Sequence, residues 1–433
     1  MKNLSLIILS LFVALSASAL ELSLKECREM ALSSDENLKI AENDLKGAEL
    51  DRAVARTQYL PKFAGSTSAL YSAPDSKIGD MMTLQMRGAY MAGINLTQPV
   101  YAGGKIVAAN KMASVALDIY SQQLRATRMD VIADAEKAYW TYIGVLEKVR
   151  MTKSYLALMD SVYEMTNNSV EVGMTNRQSL LRVDTRRSEI VYRLNQAQAG
   201  ADICRMALCR IIGVSDTTSI HPTESIAVSD VLPTMNDDVS NRPESIILGK
   251  NIELKKHQVS MTRADFLPVV GLQLGWMAYG NIKMKGWSQD EMGNPFPYTS
   301  TTNDTGFSGI LSVQIPLFHW GEGIKKVRRA KLDVENARLS MQRNVKLMQL
   351  EARQNYSNIT TGLELISSAD KAMAEANENL RMMKEQYEVG LNTLTDLLEA
   401  QSQWQSSYSN LIEAKTQYRI NQIEYLRSIG ELE

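Results

Sequence analysis

Glu171-Val172-Gly173-Met174, in the middle of the chain, is answered 217 positions later by Glu388-Val389-Gly390-Leu391. The same interval separates Pro99 from Pro316, Gly104 from Gly321, Tyr139 from Tyr356 and Ile212-Gly213 from Ile429-Gly430. A single match at a glycine or proline carries little. Several at one offset mark a tandem repeat whose helical phase no insertion has shifted. Tyr59-Leu60-Pro61 pairs with Phe266-Leu267-Pro268 at an offset of 207, which places the ten-residue difference in a loop before Pro316. The chain reads as two copies of one plan.

Upstream of each Val-Gly, Gly104 to Glu171 and Gly321 to Glu388 run 68 residues without proline, and a continuous helix of that size would span ~100 Å. Beyond each glycine a return helix is expected, over 175–212 and 392–429. Leu411, Tyr418 and Tyr425 recur every seven residues, as do Leu194, Ala201 and Leu208, which indicates coiled-coil packing. Each copy opens with a helical pattern, 24–59 and 243–266, closed by Leu-Pro. An opening and a return helix stacked end to end match one long helix. Residues 214–240, with Pro222 and Pro233, suit an irregular equatorial connector. The expected division is therefore a first repeat over 20–213, this connector, and a second repeat over 241–433.

Between the opening and long helices the period changes to two. Leu84, Met86, Tyr90, Ala92, Ile94 and Leu96 alternate with Gln85, Arg87, Asn95 and Thr97. In the second copy Leu272, Leu274 and Trp276 alternate with Gln273 and Gly275, and Phe307, Leu311 and Val313 with Ser308 and Ser312. Two hairpins are expected, 62–101 and 269–318, with turn-rich sequence at Ala73-Pro74-Asp75-Ser76 and Gly293-Asn294-Pro295-Phe296-Pro297. Strands this long fit tilted transmembrane strands of about 9–11 residues. Four strands cannot close a barrel, since small closed barrels begin at about eight; three chains supply twelve and leave a lumen. The fold expected is an α+β membrane protein with two tandem structural repeats. Four transmembrane β-strands per protomer would form a 12-stranded trimeric barrel, continued by a long periplasmic α-helical coiled-coil barrel.

Lys2, the apolar run Leu4 to Leu15 and the small-x-small site Ala17-Ser18-Ala19 form a signal peptide over 1–19. No later apolar stretch reaches the ~18 residues of a membrane helix. Lys+Arg 47 against Asp+Glu 49 leaves a net charge of −2 without long runs of one sign, so nucleic acid is not expected as a partner. His221, His257 and His319 have no metal-ligand spacing, and no metal or cofactor is expected. Cys204 and Cys209 stand five apart in a helical pattern, about 7.5 Å along the axis, so these and Cys27 read as buried free thiols. Gly103-Gly104-Lys105 and Gly321-Glu322-Gly323 resemble phosphate loops but lack the remaining motif residues. Enzyme chemistry is not expected.

On Gln98-Pro99-Val100-Tyr101, Ile315-Pro316-Leu317-Phe318, Tyr387-Glu388-Val389-Gly390 and Asp396-Leu397-Leu398-Glu399-Ala400, the chain resembles the TolC family of outer-membrane efflux proteins. The likeness covers nearly the whole mature chain. It implies a homotrimeric channel-tunnel in outer-membrane lipid, the exit duct of a tripartite efflux or type I secretion system. Its partners would be a periplasmic adaptor (membrane fusion) protein and an inner-membrane pump of RND or ABC type. Val172, Gly173, Met174, Val389, Gly390 and Leu391 match the family's adaptor-docking tips, Asp396 and Glu399 its acidic constriction, and Tyr387 a gate tyrosine. Three symmetry-related carboxylates around a narrow axis would favour cations. Read alone, the two acids equally fit a solvated first helical turn and Tyr387 a buried coiled-coil tyrosine. Where the family locks its pore with an arginine and an aspartate, this chain carries Asn392 and Ser179; Arg177 or Arg182 facing Asp396 or Glu399 would have to replace them. The rival reading is a periplasmic structural coiled-coil protein without a channel.

Overall fold

Caps and glycines set the element boundaries in the computed structural model, which describes residues 20–79, 82–228 and 232–432. The expected signal peptide lies outside them. The chain order is β1 (Leu20–Leu22), α1 (Leu24–Ser34), α2 (Glu36–Thr57), β2 (Lys62–Tyr71), β3 (Ser76–Ile78), β4 (Met82–Gln85), β5 (Arg87–Ala102), α3 (Lys105–Glu171), α4 (Arg177–Ile212), β6 (Ile220–Pro222), α5 (Pro243–Ala264), β7 (Val269–Gln289), β8 (Pro295–Gln314), α6 (Glu322–Glu388) and α7 (Leu394–Ile429). α3 and α6 each run 67 residues.

Contacts divide the chain into two units. The first takes Met1–Asp44, Tyr120–Leu248 and Ser340–Glu433. Here β1 pairs in parallel with β6, and the Tyr139 and Tyr142 hydroxyls donate to the carbonyls of Leu22 (2.9 Å) and Ile220 (3.2 Å) from within the apolar core. The heptad positions Leu411, Tyr418 and Tyr425 are buried, as are Ala201 and Leu208. Cys27, Cys204 and Cys209 are free thiols, and burial pushes the Cys27 thiol up to about 12.

The helix expected over 24–59 is in fact two. Asp35 is extended (φ −61°, ψ 127°) and its Oδ1 accepts from the Leu38 amide at 2.8 Å, so it ends α1 and caps α2. α4 and α7 end alike, on left-handed Gly213 (φ 74°) and Gly430 (φ 78°). A methyl at Gly213 would lie 2.3 Å from Ser34 Cβ, and one at Gly430 2.8 Å from Arg242 Cα. Each return helix therefore packs its C-cap against the opening segment of one copy. Gly213→Ala combines left-handed strain of about 1–2 kcal/mol with that collision. We expect a loss of about 2 kcal/mol, seen as a lower midpoint of thermal helix loss; an unchanged midpoint would mean that the packing of α1 on this cap contributes nothing.

The second unit, Leu45–Ile119 with Gly249–Leu339, is built on an antiparallel sheet. β2 pairs with β5, β5 with β7, and β7 with β8 along nearly its full length, from Val269↔Gln314 to Gln289↔Pro295. Register puts Phe63, Leu96, Leu274 and Gly309 in one row and Ile94, Trp276 and Phe307 in another. Because opposed residues share a face, these rows form a continuous apolar surface. The reverse face carries Ser66, Asn95, Thr97, Gln273, Gly275, Ser308 and Ser312. β2 and β8 each pair on one side only, which leaves two open edges in the chain.

Two details differ from the expected hairpins. The first hairpin holds four strand segments rather than two, because β3 and β4 form a small pair and β4 continues along β7 from Met82↔Gly286 to Gln85↔Lys283. In the second, Pro295 and Pro297 belong to β8 rather than to the loop, opposite Gln289 and Trp287. An edge strand tolerates proline, whose missing N–H can fall on the unpaired side.

Candidate functional site

The first unit presents two helical turns built alike. At the first, the Gly173 amide donates to the Val170 carbonyl (3.1 Å) and the Met174 amide to Ser169 (2.8 Å); at the second, Gly390 donates to Tyr387 (3.1 Å) and Leu391 to Gln386 (2.8 Å). This is the Schellman pattern, which needs a left-handed residue after the helix. Gly173 (φ 76°) and Gly390 (φ 77°) supply it. Around them the apolar side chains stand in the open: Val172 is 69% exposed, Met174 82%, Val389 69% and Leu391 77%. A Cβ added at either glycine would meet nothing within 4 Å. Neither glycine is required by internal packing, so both leave backbone free for approach from outside.

Past each turn a cap starts the return helix. Asn176 accepts from the Ser179 amide (2.9 Å) and hydroxyl (3.1 Å). Thr393 and Asp396 form a capping box: Asp396 Oδ2 accepts from the Thr393 hydroxyl (2.6 Å) and amide (3.1 Å), and the Asp396 amide donates to Thr393 Oγ1 (3.3 Å). The Thr393 hydroxyl and amide hold the Asp396 carboxyl below the usual carboxylate range. One of its oxygens is thus committed to the helix start. Glu399 is exposed one turn on, while Leu397 and Ala400 turn into an apolar core with Tyr155, Val162 and Val183.

Tyr387 is half-buried against that core, and its hydroxyl shares a hydrogen bond with Thr166 at 3.2 Å, joining the two copies near their turns. Asn392 donates to Gln386 Oε1 (2.6 Å) and Ser179 to Asn176, so each is engaged within its own turn. Arg182 and Glu399 line one groove of about 580 Å³ with Arg186 and Thr395, but no ion pair joins them among the described residues. Arg186 instead pairs with Glu189 at 2.8 Å. Sequence reading missed Thr393, although its Thr-x-x-Asp spacing is the signal that could have marked the box. Thr166 carried no such signal, since its partner lies 221 residues away.

Among the described residues no group of His, Cys, Asp and Glu could hold a metal ion, and no helix is long and apolar enough to cross a membrane. The sequence model of one family, Outer membrane efflux protein, matches residues 27–214 and 249–431. The chain belongs to that family, whose members are channel proteins of the TolC type. It is 21% identical to outer membrane protein OprJ of Pseudomonas aeruginosa over 94% of this chain and 84% of that protein. It is 20% identical to the alkaline protease secretion protein AprF of the same organism, over 93% and 83%. Among solved structures it shares the fold of CusC, with a TM-score of 0.79 at 14% identity over 95% of this chain and 93% of that one. The protein is an outer-membrane efflux channel, with its helices on the periplasmic side. This sets aside a coiled-coil protein without a channel.

Proposed function

We propose that three copies of this chain form one channel-tunnel, the exit duct of a tripartite efflux or type I secretion system. The observation that carries this reading is the sheet of the second unit, with one apolar face and two open edges. In hydrocarbon each unpaired edge group costs several kcal/mol, so β2 of one copy must pair with β8 of the next until the ring closes. Two copies give eight strands and a filled interior; three give twelve and an aqueous lumen. The apolar rows face lipid and the Ser-, Asn- and Gln-rich face lines the lumen.

In this assembly Val172, Gly173, Met174, Val389, Gly390 and Leu391 dock a periplasmic adaptor, which couples the duct to an inner-membrane pump. Exposed apolar side chains beside bare glycine backbone suit a close helix–turn contact. Asp396 and Glu399 ring the constriction, with Tyr387 beside them. Likeness to a protease secretion protein and to a toxin and drug export protein supports an export role across cargo classes.

The face assignment is tested by charge. Leu274→Arg or Trp276→Arg puts a cation on lipid at about 2–4 kcal/mol per chain near the midplane. Their oligomer yield in outer-membrane fractions should fall severely, while Gln273→Arg, on the lumen face, should assemble nearly as the parent does. Equal yields would reverse the assignment of faces.

A further inference from the structure

The helices leave the sheet at the end formed by Lys62, Ala102, Val269 and Gln314, which is therefore its periplasmic end. Just past Gln314 three large apolar side chains stand in the open, Leu317 at 89% exposure, Phe318 at 69% and Trp320 at 85%, with the Phe318 and Trp320 rings edge to face at 4.9 Å. Aromatic side chains so placed mark a membrane–water interface. The first ten residues of α6 then hold Lys325, Lys326, Arg328, Arg329 and Lys331. Lys326 pairs with Glu322 at 2.6 Å; Lys325, Arg328, Arg329, Lys331 and the neighbouring Arg263 have no ion pair among the described residues.

This charge works against the helix that carries it. Cations are unfavourable at a helix N-terminus, and Lys325 with Arg329, four apart, repel each other. The repeat supplies a control. At the same offset of 217 the first copy has Ala108, Ala109, Lys111, Met112 and Ser114, so the architecture needs only one cation of the five. Between α5 and the start of α6 lies a groove of about 480 Å³ whose walls include Arg263, Phe266, Leu317, His319, Arg328 and Lys331. It combines three cations with an apolar wall and one carboxylate, Glu322, which Lys326 already engages.

We propose that this groove binds the headgroup phosphate of an anionic glycerophospholipid of the periplasmic leaflet, such as phosphatidylglycerol. Arg263, Arg328 and Lys331 meet the phosphate, Lys325 and Arg329 raise the local potential, and the acyl chains lie along Leu317, Phe318 and Trp320. Clusters of basic residues immediately beside a membrane-spanning element are suited to anionic lipid, at roughly five-fold in affinity per charge. This inference rests on the apolar face of the sheet meeting lipid.

The test uses the full chain purified in a neutral detergent, with native mass spectrometry after titration of short-chain phosphatidylglycerol, short-chain phosphatidylcholine or inorganic phosphate. The parent should retain phosphatidylglycerol and not phosphatidylcholine, and inorganic phosphate should displace it poorly. Arg328→Gln with Lys331→Gln should weaken retention by about 25-fold, and Lys331→Gln alone by about five-fold, with the oligomer intact. Equal retention by parent and double variant, or equal occupancy by phosphate alone, would overturn the lipid site. Loss of the oligomer in both variants would assign the cluster to contacts between copies and also overturn it. Conductance recorded on the same preparation separates the two readings: a conducting chain that retains no phosphatidylglycerol overturns this inference alone.

Discussion

Gly390→Leu is expected to abolish export while folded oligomers still accumulate in the outer membrane. The substitution costs about 1–2 kcal/mol of left-handed strain at one exposed turn, where nothing lies within 4 Å of the new Cβ. A loss of function much larger than this local strain must come from outside the chain. If the turn docks an adaptor, leucine occupies the space into which the partner's backbone packs, a loss of the hot-spot kind worth 2 kcal/mol or more, or about 30-fold in affinity. Quantifying adaptor co-purification beside export activity and oligomer yield checks this. Unimpaired export at parental adaptor affinity would remove the second turn from the docking surface. Gly173→Leu sits in the same geometry and should behave alike.

The second large effect is expected at the constriction. Two threefold rings of Asp396 and Glu399 would place six carboxylates around one axis, and their field would only partly be screened by salt. Multivalent cations should bind there and block current, less strongly at high ionic strength. Asp396 also caps α7 through Thr393, so alanine would remove the cap together with the charge. Asp396→Asn with Glu399→Gln keeps an acceptor for Thr393 and removes the charge alone. In planar bilayers the double variant should lose most of the cation block and much of its cation preference at unchanged oligomer yield. Because Thr393 lowers the Asp396 pKa, that carboxylate stays charged to lower pH than a free one. The Asp396 share of the block should therefore persist to lower pH than it would without the Thr393 bonds, as neighbouring carboxylates alone would raise its pKa. Its cap contribution has the same sign, present above the unfolded pKa and lost in acid. Parental block in the double variant would place both acids away from the axis.

Local chemistry made much of this architecture legible. Heptad spacing at Leu411, Tyr418 and Tyr425 needs no tertiary information, nor does the left-handed requirement at Gly173 and Gly390. The alternation around Leu274 and Trp276 read the sheet face directly, because pleating ties side-chain direction to residue parity. Misreadings came where two local signals competed. At Asp35 the helical pattern continues on both sides, and the stronger signal was the cap it offers to Leu38. At Pro295 and Pro297 turn chemistry dominated the reading, although an edge strand accommodates both. The Tyr387–Thr166 bond and the shared groove of Arg182 and Glu399 depend on helices brought together from distant sequence, and no local pattern encodes them. Asp396 shows the reverse: the local Thr-x-x-Asp spacing was there but went unread, and the box it forms gives one carboxylate a structural duty beside any role in the pore.

Closure of the sheet by three chains is the claim from which lumen, rings and docking surface all follow. Its most direct test is the native mass of the protein extracted from outer membranes in mild detergent, set against the mass of the denatured chain. A mass of three chains, collapsing to one on heating, is the predicted result; a stable species of one or two chains that still conducts would contradict it.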